Sequence, residues 1–304
     1  MSTEVLTSEV ELAEPLVRLG KDVKQASRVL TLREARWLVD TYYQMQDGRI
    51  RSKSQLDRQE EAAEPNRLIG WVFGTWRRFE DTVKAALGEF SSAYKVGNWL
   101  LAQYGIGPVL SAAMLSNFDI RKARTVGHMW RFAGLDPTCV WKKGEKRPYN
   151  AQLKAICAYK MGECFVKFQN RDLCYYGKLL AYKKAELTVY NEARKFKDFA
   201  ATEIKRCGEN TALLKKMKVT ERWKHWQDGR ICPANVHDRA RRWAVKLFIS
   251  HLHEVMYWDY YSKAPPAPFI FAHPELGDHR HKLDPPLWPG EYEGRPLSEL
   301  YTGT

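Results

Sequence analysis

Along most of the chain, apolar residues recur at intervals of three and four, the spacing that lines one face of a helix. Nothing reads as strands alternating with helices. Thr31 followed three residues later by Glu34 has the form of a capping box and predicts a helix over 31–46. A polar segment over 49–65 reads as a connector to a second helix over 66–90, in which Leu68, Ile69, Val72, Phe73, Trp76, Phe79, Val83 and Leu87 keep helical spacing. These two helices are expected to pack on each other, with Trp71 and Trp76 as packing residues rather than a stacking platform. Residues 96–116 read as helix, tight turn, helix. Further helices are predicted over 125–133, 150–168, 173–196, 211–218 and 233–261. The last has Pro233 in its first turn and carries Val236, Ala240, Trp243, Ala244, Leu247, Phe248, Leu252 and Val255 on one face.

Two stretches break the helical pattern. Lys142-Lys143-Gly144-Glu145 is a turn flanked by basic residues, and predicts a small β-hairpin or an extended arm over 138–148. Beyond Ala264 prolines recur, from Pro265 to Pro296, which predicts a tail without regular structure. Residues 1–25 are acidic and weakly patterned, a lead-in or a short helix. The expected architecture is all-α: an N-terminal helical region over 1–95, a larger helical bundle over 96–262 and an irregular, Pro-rich tail over 263–304.

At 304 residues, 44% hydrophobic and 28% charged, the chain has the composition of an ordinary globular protein. With a mean hydropathy of -0.52 and no apolar run of eighteen residues, no membrane span is expected. The first ten residues have neither a basic nor an apolar region of the secretory kind, so the expected location is cytoplasmic. Six cysteines, with no Cys-x-x-Cys and no Cys/His cluster of zinc-finger spacing, are expected to be reduced thiols, with no metal and no cofactor.

Charge changes the picture more. The net +13 is not spread evenly: residues 121–246 hold thirty Lys and Arg against twelve Asp and Glu, a net of +18, and the flanks are acidic in sum. So concentrated a charge attracts polyanions and predicts a nucleic-acid partner, the alternative being a solvated, lysine-rich helical surface. Tyr104-Gly105-Ile106-Gly107-Pro108-Val109 stands just before this region. Its glycines permit positive φ and leave backbone N–H groups uncovered at the start of the next helix, which is the chemistry of a pocket for a DNA phosphate. The stretch resembles the hairpin of a helix-hairpin-helix motif, which implies a grip on duplex backbone without sequence readout.

The resemblance extends to Gly105 through Leu115, to Arg131-Phe132-Ala133-Gly134-Leu135-Asp136-Pro137, to the basic Lys142–Pro148 and to Asn150 through Ala155. Together these look like the C-terminal helix-hairpin-helix domain of insertion-sequence transposases with a RuvC-like N-terminal domain. The chain departs from that family in its first 95 residues, which read as helices and offer no strand-borne carboxylates for the metal site. Ser250 is a poor match for the serine nucleophile. More distantly the chain resembles the helix-hairpin-helix DNA glycosylase fold, but Val109 and Gly127 stand near the places of that family's lysine and aspartate. That fold includes the phage α-glutamyl/putrescinyl thymine pyrophosphorylases, or amino-acid:DNA transferases. This resemblance implies replacement of a phosphate or pyrophosphate on a modified uracil by an amine, with double-stranded DNA and a free amino acid as partners.

Such chemistry needs a base, a cationic clamp and a stacking surface. His237 and Asp238 at the start of the long helix, with Asp136, are the candidate catalytic groups. Arg131, Lys142, Lys143, Lys146, Arg147, Lys154, Arg239, Arg241 and Arg242 are the candidate phosphate and carboxylate contacts. Trp141 is the candidate stacking ring, and Asn150 reads either as a helix cap or as a contact to a base. His251 reads as a packed histidine, since His251 and His253 diverge on a helix and cannot share a ligand. The alternatives to an enzyme are a non-catalytic DNA-binding module derived from a transposase, and a binder of structured RNA.

Overall fold

Proline at the first turn, followed by apolar residues on one face, dictates the longest buried helix of the chain, Pro233–Tyr261 (α13). The computed structural model describes residues 20–61, 67–142, 144–267 and 282–302, and it is all-α, with no sheet among the described residues. In chain order the helices before α13 are α1 (Lys21–Ser27), α2 (Leu32–Glu61), α3 (Arg67–Ser92), α4 (Lys95–Ala102), α5 (Pro108–Asn117) and α6 (Val126–Phe132), then α7 (Ala151–Ala155), α8 (Gly162–Lys167), α9 (Tyr175–Glu192), α10 (Lys197–Gly208), α11 (Thr211–Lys218) and α12 (Glu221–Gln227). Short α14 (Leu297–Leu300) follows α13.

Phe248 of α13 is fully buried and meets rings from three other helices. Trp99 of α4 stacks on it at 6.1 Å, Tyr176 of α9 meets it edge-on at 5.0 Å, and Phe165 of α8 lies at 5.8 Å. One hydrophobic core takes side chains from all three stretches marked out in the sequence: Leu32 and Val39, Trp99 and Phe248, Leu297 and Tyr301. A second, small core of Ala200, Cys207, Trp223 and Trp226 belongs to α10–α12 alone.

Several elements differ from the sequence reading. The segment expected as a connector from residue 49 is helical as far as Glu61 in α2, and residues 62–66 lie outside the described residues. Its Arg, Lys, Gln and Glu side chains are good helix formers, and only one face meets α3. There Arg49 pairs with the buried Glu80, and Arg28 with Glu89, in the order of antiparallel helices. Trp76 lies against Gly48 across the same contact, as a packing residue.

The β-hairpin expected over 138–148 is not formed: the described residues of the arm carry no strand. Its chain turns at Glu145, whose N–H donates to the Lys142 carbonyl and whose carbonyl accepts from Trp141 Nε1. Helix 150–168 forms with a π turn over Ile156–Met161. α9 stops at Glu192, and α10 and α12 were not foreseen. The described residues of the Pro-rich tail, 263–267 and 282–302, are irregular except for α14, and residues 268–281 lie outside the described residues. Of the acidic lead-in only Lys21–Ser27 is described, as α1; residues 1–19 lie outside.

The tail is bound rather than loose. Arg295 N–H donates to the Ala93 carbonyl and Lys95 N–H to the Arg295 carbonyl, Trp99 Nε1 donates to Pro286, and Leu297 N–H to Asp259. His251 fastens its near end. The Leu283 carbonyl, 2.8 Å away, can only accept, so Nε2 carries the proton and Nδ1 accepts from the Tyr176 hydroxyl at 2.9 Å. All six cysteines are free, four of them buried, and burial pushes the Cys157 thiol well up. No helix among the described residues is long and apolar enough to cross a membrane.

Burial pushes the His251 pKa down from its ordinary 6.5 to about 4. A group depressed in the folded state contributes stability above its unfolded pKa and loses it as pH falls. His251 should therefore cost the fold up to about 3 kcal/mol between pH 6.5 and 4. His251→Gln should be less stable than the parent at pH 7 in urea unfolding, with the difference shrinking towards pH 4; a constant difference would show that His251 is not the titrating group. Phe248→Ala should lower stability by about 3–5 kcal/mol, measured the same way.

Candidate nucleic-acid interface

Gly97 sets the hairpin against the bundle. A Cβ there would lie 1.9 Å from the Ser91 carbonyl oxygen, so only glycine lets α4 turn this closely off the end of α3. After Ala102 the chain reverses at Gly105, whose φ of +96° is open to glycine and strained for other residues. Ile106 N–H donates to the Gln103 carbonyl at 2.9 Å and its side chain plugs the core. Gly107 then caps α5 in ordinary extended conformation, with Pro108 as the first helical residue and no side chain capping the helix. A Cβ on Gly107 would meet nothing within 4 Å, and the residue is exposed. Behind this exposed glycine Pro108 has no N–H and the Ser111 N–H donates to the Gly107 carbonyl, so the N–H groups of Val109 and Leu110, both buried residues, are the ones the helix itself cannot use. Val109 is buried, so any contact it makes there is through its backbone.

Exposed Tyr104 packs edge-on against Phe168 at 5.3 Å, and Lys167 lies 5.5 Å over the same Phe168 ring. Exposed Arg171 follows. These two cations were missed in the sequence because they stand more than sixty residues from the glycines and are joined to them only through Phe168 and through Cys174, whose Sγ lies 3.5 Å from the Tyr104 carbonyl.

In the basic arm, Lys142, Lys146 and Arg147 are exposed; Lys143 lies outside the described residues. Arg147 sits 5.2 Å over the Trp141 ring, which occupies one face of the ring proposed for stacking. Arg131 is exposed and makes no ion pair among the described residues. Lys154 lies 4.5 Å over Tyr149. Asn150 is a helix cap, its Oδ1 accepting from the N–H groups of Gln152 and Leu153 at 3.0 Å each. Asp136 is a turn residue: its Oδ1 accepts from the Thr138 N–H and hydroxyl, which hold the carboxyl below the usual range.

The start of α13 is largely committed to packing. Arg241 is buried, pairs with Asp238 at 2.8 Å and with Glu163, and sits 5.4 Å over Tyr159. Arg239 lies over Phe196 and Phe199 at 5.0 and 4.6 Å, and burial holds its pKa down. Arg242 is exposed. His237 is half-buried, and no hydrogen bond, ion pair or ring contact joins it to Asp136, Arg131 or Lys154. The structure therefore brings Asp238 and Arg241 together, and holds Asp136 on Thr138 and Lys154 over Tyr149. Among the described residues, no cluster of three or more His, Cys, Asp or Glu side chains could hold a metal ion.

Gly107→Val separates ligand approach from folding, because its backbone is unstrained and its Cβ meets open space. The variant should melt within a few degrees of the parent by circular dichroism, whereas Gly105→Val should be destabilised by on the order of 1–3 kcal/mol from backbone strain. Comparison with protein-family models, with curated proteins and with solved structures found no match.

Proposed function

We propose that the chain binds the sugar–phosphate backbone of duplex DNA without reading its sequence, through the turn between α4 and α5. The observation that carries this reading is the exposed Gly107 at the uncapped start of α5, where a ligand can approach the backbone N–H groups at the positive end of the helix dipole. Supporting it, Lys167 lies over the Phe168 ring that packs on Tyr104 in the turn, and the net +18 over residues 121–246 gives the long-range attraction that a polyanion follows. The arm's exposed Lys142, Lys146 and Arg147 add point contacts to phosphate.

Binding, rather than group transfer, is the function this arrangement favours. An amine-transferring site would need a base, a phosphate clamp and a carboxylate-binding arginine within reach of one another. Here Asp238 and Arg241 are spent on each other and on Glu163, and Asp136 on Thr138. The non-catalytic DNA-binding module is therefore the form of the proposal.

Fluorescence anisotropy with a labelled 20-base-pair duplex tests it. Affinity should fall steeply from about 50 to 200 mM salt, with a slope near −0.9 per phosphate contacted. Gly107→Val should bind at least about tenfold more weakly than the parent while keeping its fold. Exchanging Lys142, Lys146 and Arg147 together for glutamine should reduce the slope by about two to three. Salt-independent binding, or tighter binding to a structured RNA hairpin than to the duplex, would overturn the reading.

A further inference from the structure

The α5 helix has two ends, and the far one opens on a cleft of about 610 Å³ between the start of α2, the 3-10 turn Ile120–Lys122, α6 and Pro148 at the end of the basic arm. The helix itself, about 15 Å long, separates this cleft from the hairpin. Its size is that of small-molecule sites.

The charge of the cleft is lopsided. Arg121 is neutralised by Asp119, whose two oxygens each lie 2.9 Å from the guanidinium, and it stacks 4.5 Å over Tyr301, so this pair forms a wall. Lys122 has the same carboxylate only at 3.9 Å. Arg36 and Arg131, both exposed, form no ion pair among the described residues, although Asp40 and Asp136 lie within their electrostatic reach. Arg36, Lys122 and Arg131 thus line the cleft with no carboxylate closer than 3.9 Å to Lys122 and none in an ion pair with either guanidinium among the described residues, which suits an anion, and two guanidinium forks match phosphate oxygens.

The remaining lining is aromatic and apolar. Phe132 is 43% exposed and is held on edge by Phe118 at 6.4 Å. An exposed ring with fixed orientation beside unpaired cations offers a stacking face next to a phosphate clamp. His128 adds a donor. Its Nδ1 is engaged by the Thr125 N–H and hydroxyl in the α6 cap, which leaves Nε2–H as its uncommitted ring nitrogen. Asn117 gives its amide N–H to the Ala113 carbonyl and keeps its Oδ1 free for a donor such as a base amine.

We propose that this cleft binds a nucleotide, with the base on Phe132 and the phosphate between Arg36, Lys122 and Arg131. The source is either a free nucleotide or a nucleotide unstacked from a nucleic-acid strand; both present the same base and phosphate. The site stands apart from the hairpin and does not depend on duplex binding there.

The test uses the full chain and three probes: 2-aminopurine deoxyribose 5′-monophosphate, a single-stranded trinucleotide with central 2-aminopurine, and inorganic phosphate followed by calorimetry. Binding of the monophosphate assigns a free nucleotide. Binding of the trinucleotide alone assigns a strand. Arg36→Glu with Arg131→Glu should weaken either by tenfold or more, and Phe132→Ser should weaken the nucleotide several-fold but not phosphate. All three residues are exposed, so circular dichroism of the variants should match the parent. Gly107→Val should leave nucleotide affinity unchanged, which distinguishes this site from the hairpin. The proposal falls if phosphate binds as tightly as the nucleotide, if no probe binds at millimolar concentration, or if the arginine and phenylalanine variants bind like the parent.

Discussion

Burial of Phe248 in the middle of α13 is the contact on which the rest of this molecule depends. It draws Trp99, Phe165 and Tyr176 from three helices separated by up to seventy-seven residues of sequence into one cluster with α13. Each buried ring contributes on the order of 2–3 kcal/mol by leaving water, and none can be moved without opening space beside the others. The consequence for function is direct. Trp99 lies six residues before the reversal at Gly105, so the cluster that holds the core also fixes where the turn points.

The second constraint is the satisfaction of polar groups along a chain with almost no regular structure. The tail crosses α13 and the foot of the hairpin, where its backbone groups exchange hydrogen bonds with Ala93, Lys95, Trp99 and Asp259. Tyr301 then sits in the core with its hydroxyl between Phe118 and Ile120. Prolines remove donors that such a segment would otherwise have to pair, and the residual carbonyls find side chains of the bundle. His251 belongs to the same economy: it satisfies the Leu283 carbonyl while remaining neutral.

Basic residues divide into two populations that composition cannot tell apart. Arg239 and Arg241 are absorbed by aromatic faces and carboxylates where α13 meets α8 and α10. Lys142, Lys146, Lys167 and Arg131 stand in solvent without an ion-paired carboxylate among the described residues. A desolvated guanidinium is costly unless paired, so those in the first group already have their partners and only the second has charge left to offer a ligand. Exposed cations of this kind stand on the arm and at the cleft beyond α5, and others, such as Lys215, Lys216 and Lys218 of α11, stand on the separate small core.

Local signals in the sequence were enough for what depends on neighbours along the chain. Thr31 and Glu34 form the expected reciprocal cap, Pro233 opens α13, and the expected bounds of α11 and α13 coincide with those found. Gly105 sits at positive φ because two helices had to reverse within a few residues. Helices whose apolar stripe is short or meets one partner only were misread: the second half of α2 looked like a connector, and α10 and α12 hold too few apolar residues to show a period until their own small core is assembled. The arm read as either a β-hairpin or an extended arm because turn residues fix a reversal but not the pairing that follows it. The candidate site was hardest to read. His237 through Arg242 are contiguous, yet consecutive residues on a helix point about 100° apart, and what each touches is set by Glu163, Tyr159 and Phe196 arriving from elsewhere. Sequence determined which chemistries the chain owns and where its helices begin; only tertiary packing decided which of those side chains are consumed by the fold and which remain for a ligand, because contacts between distant segments leave no periodic trace in either one.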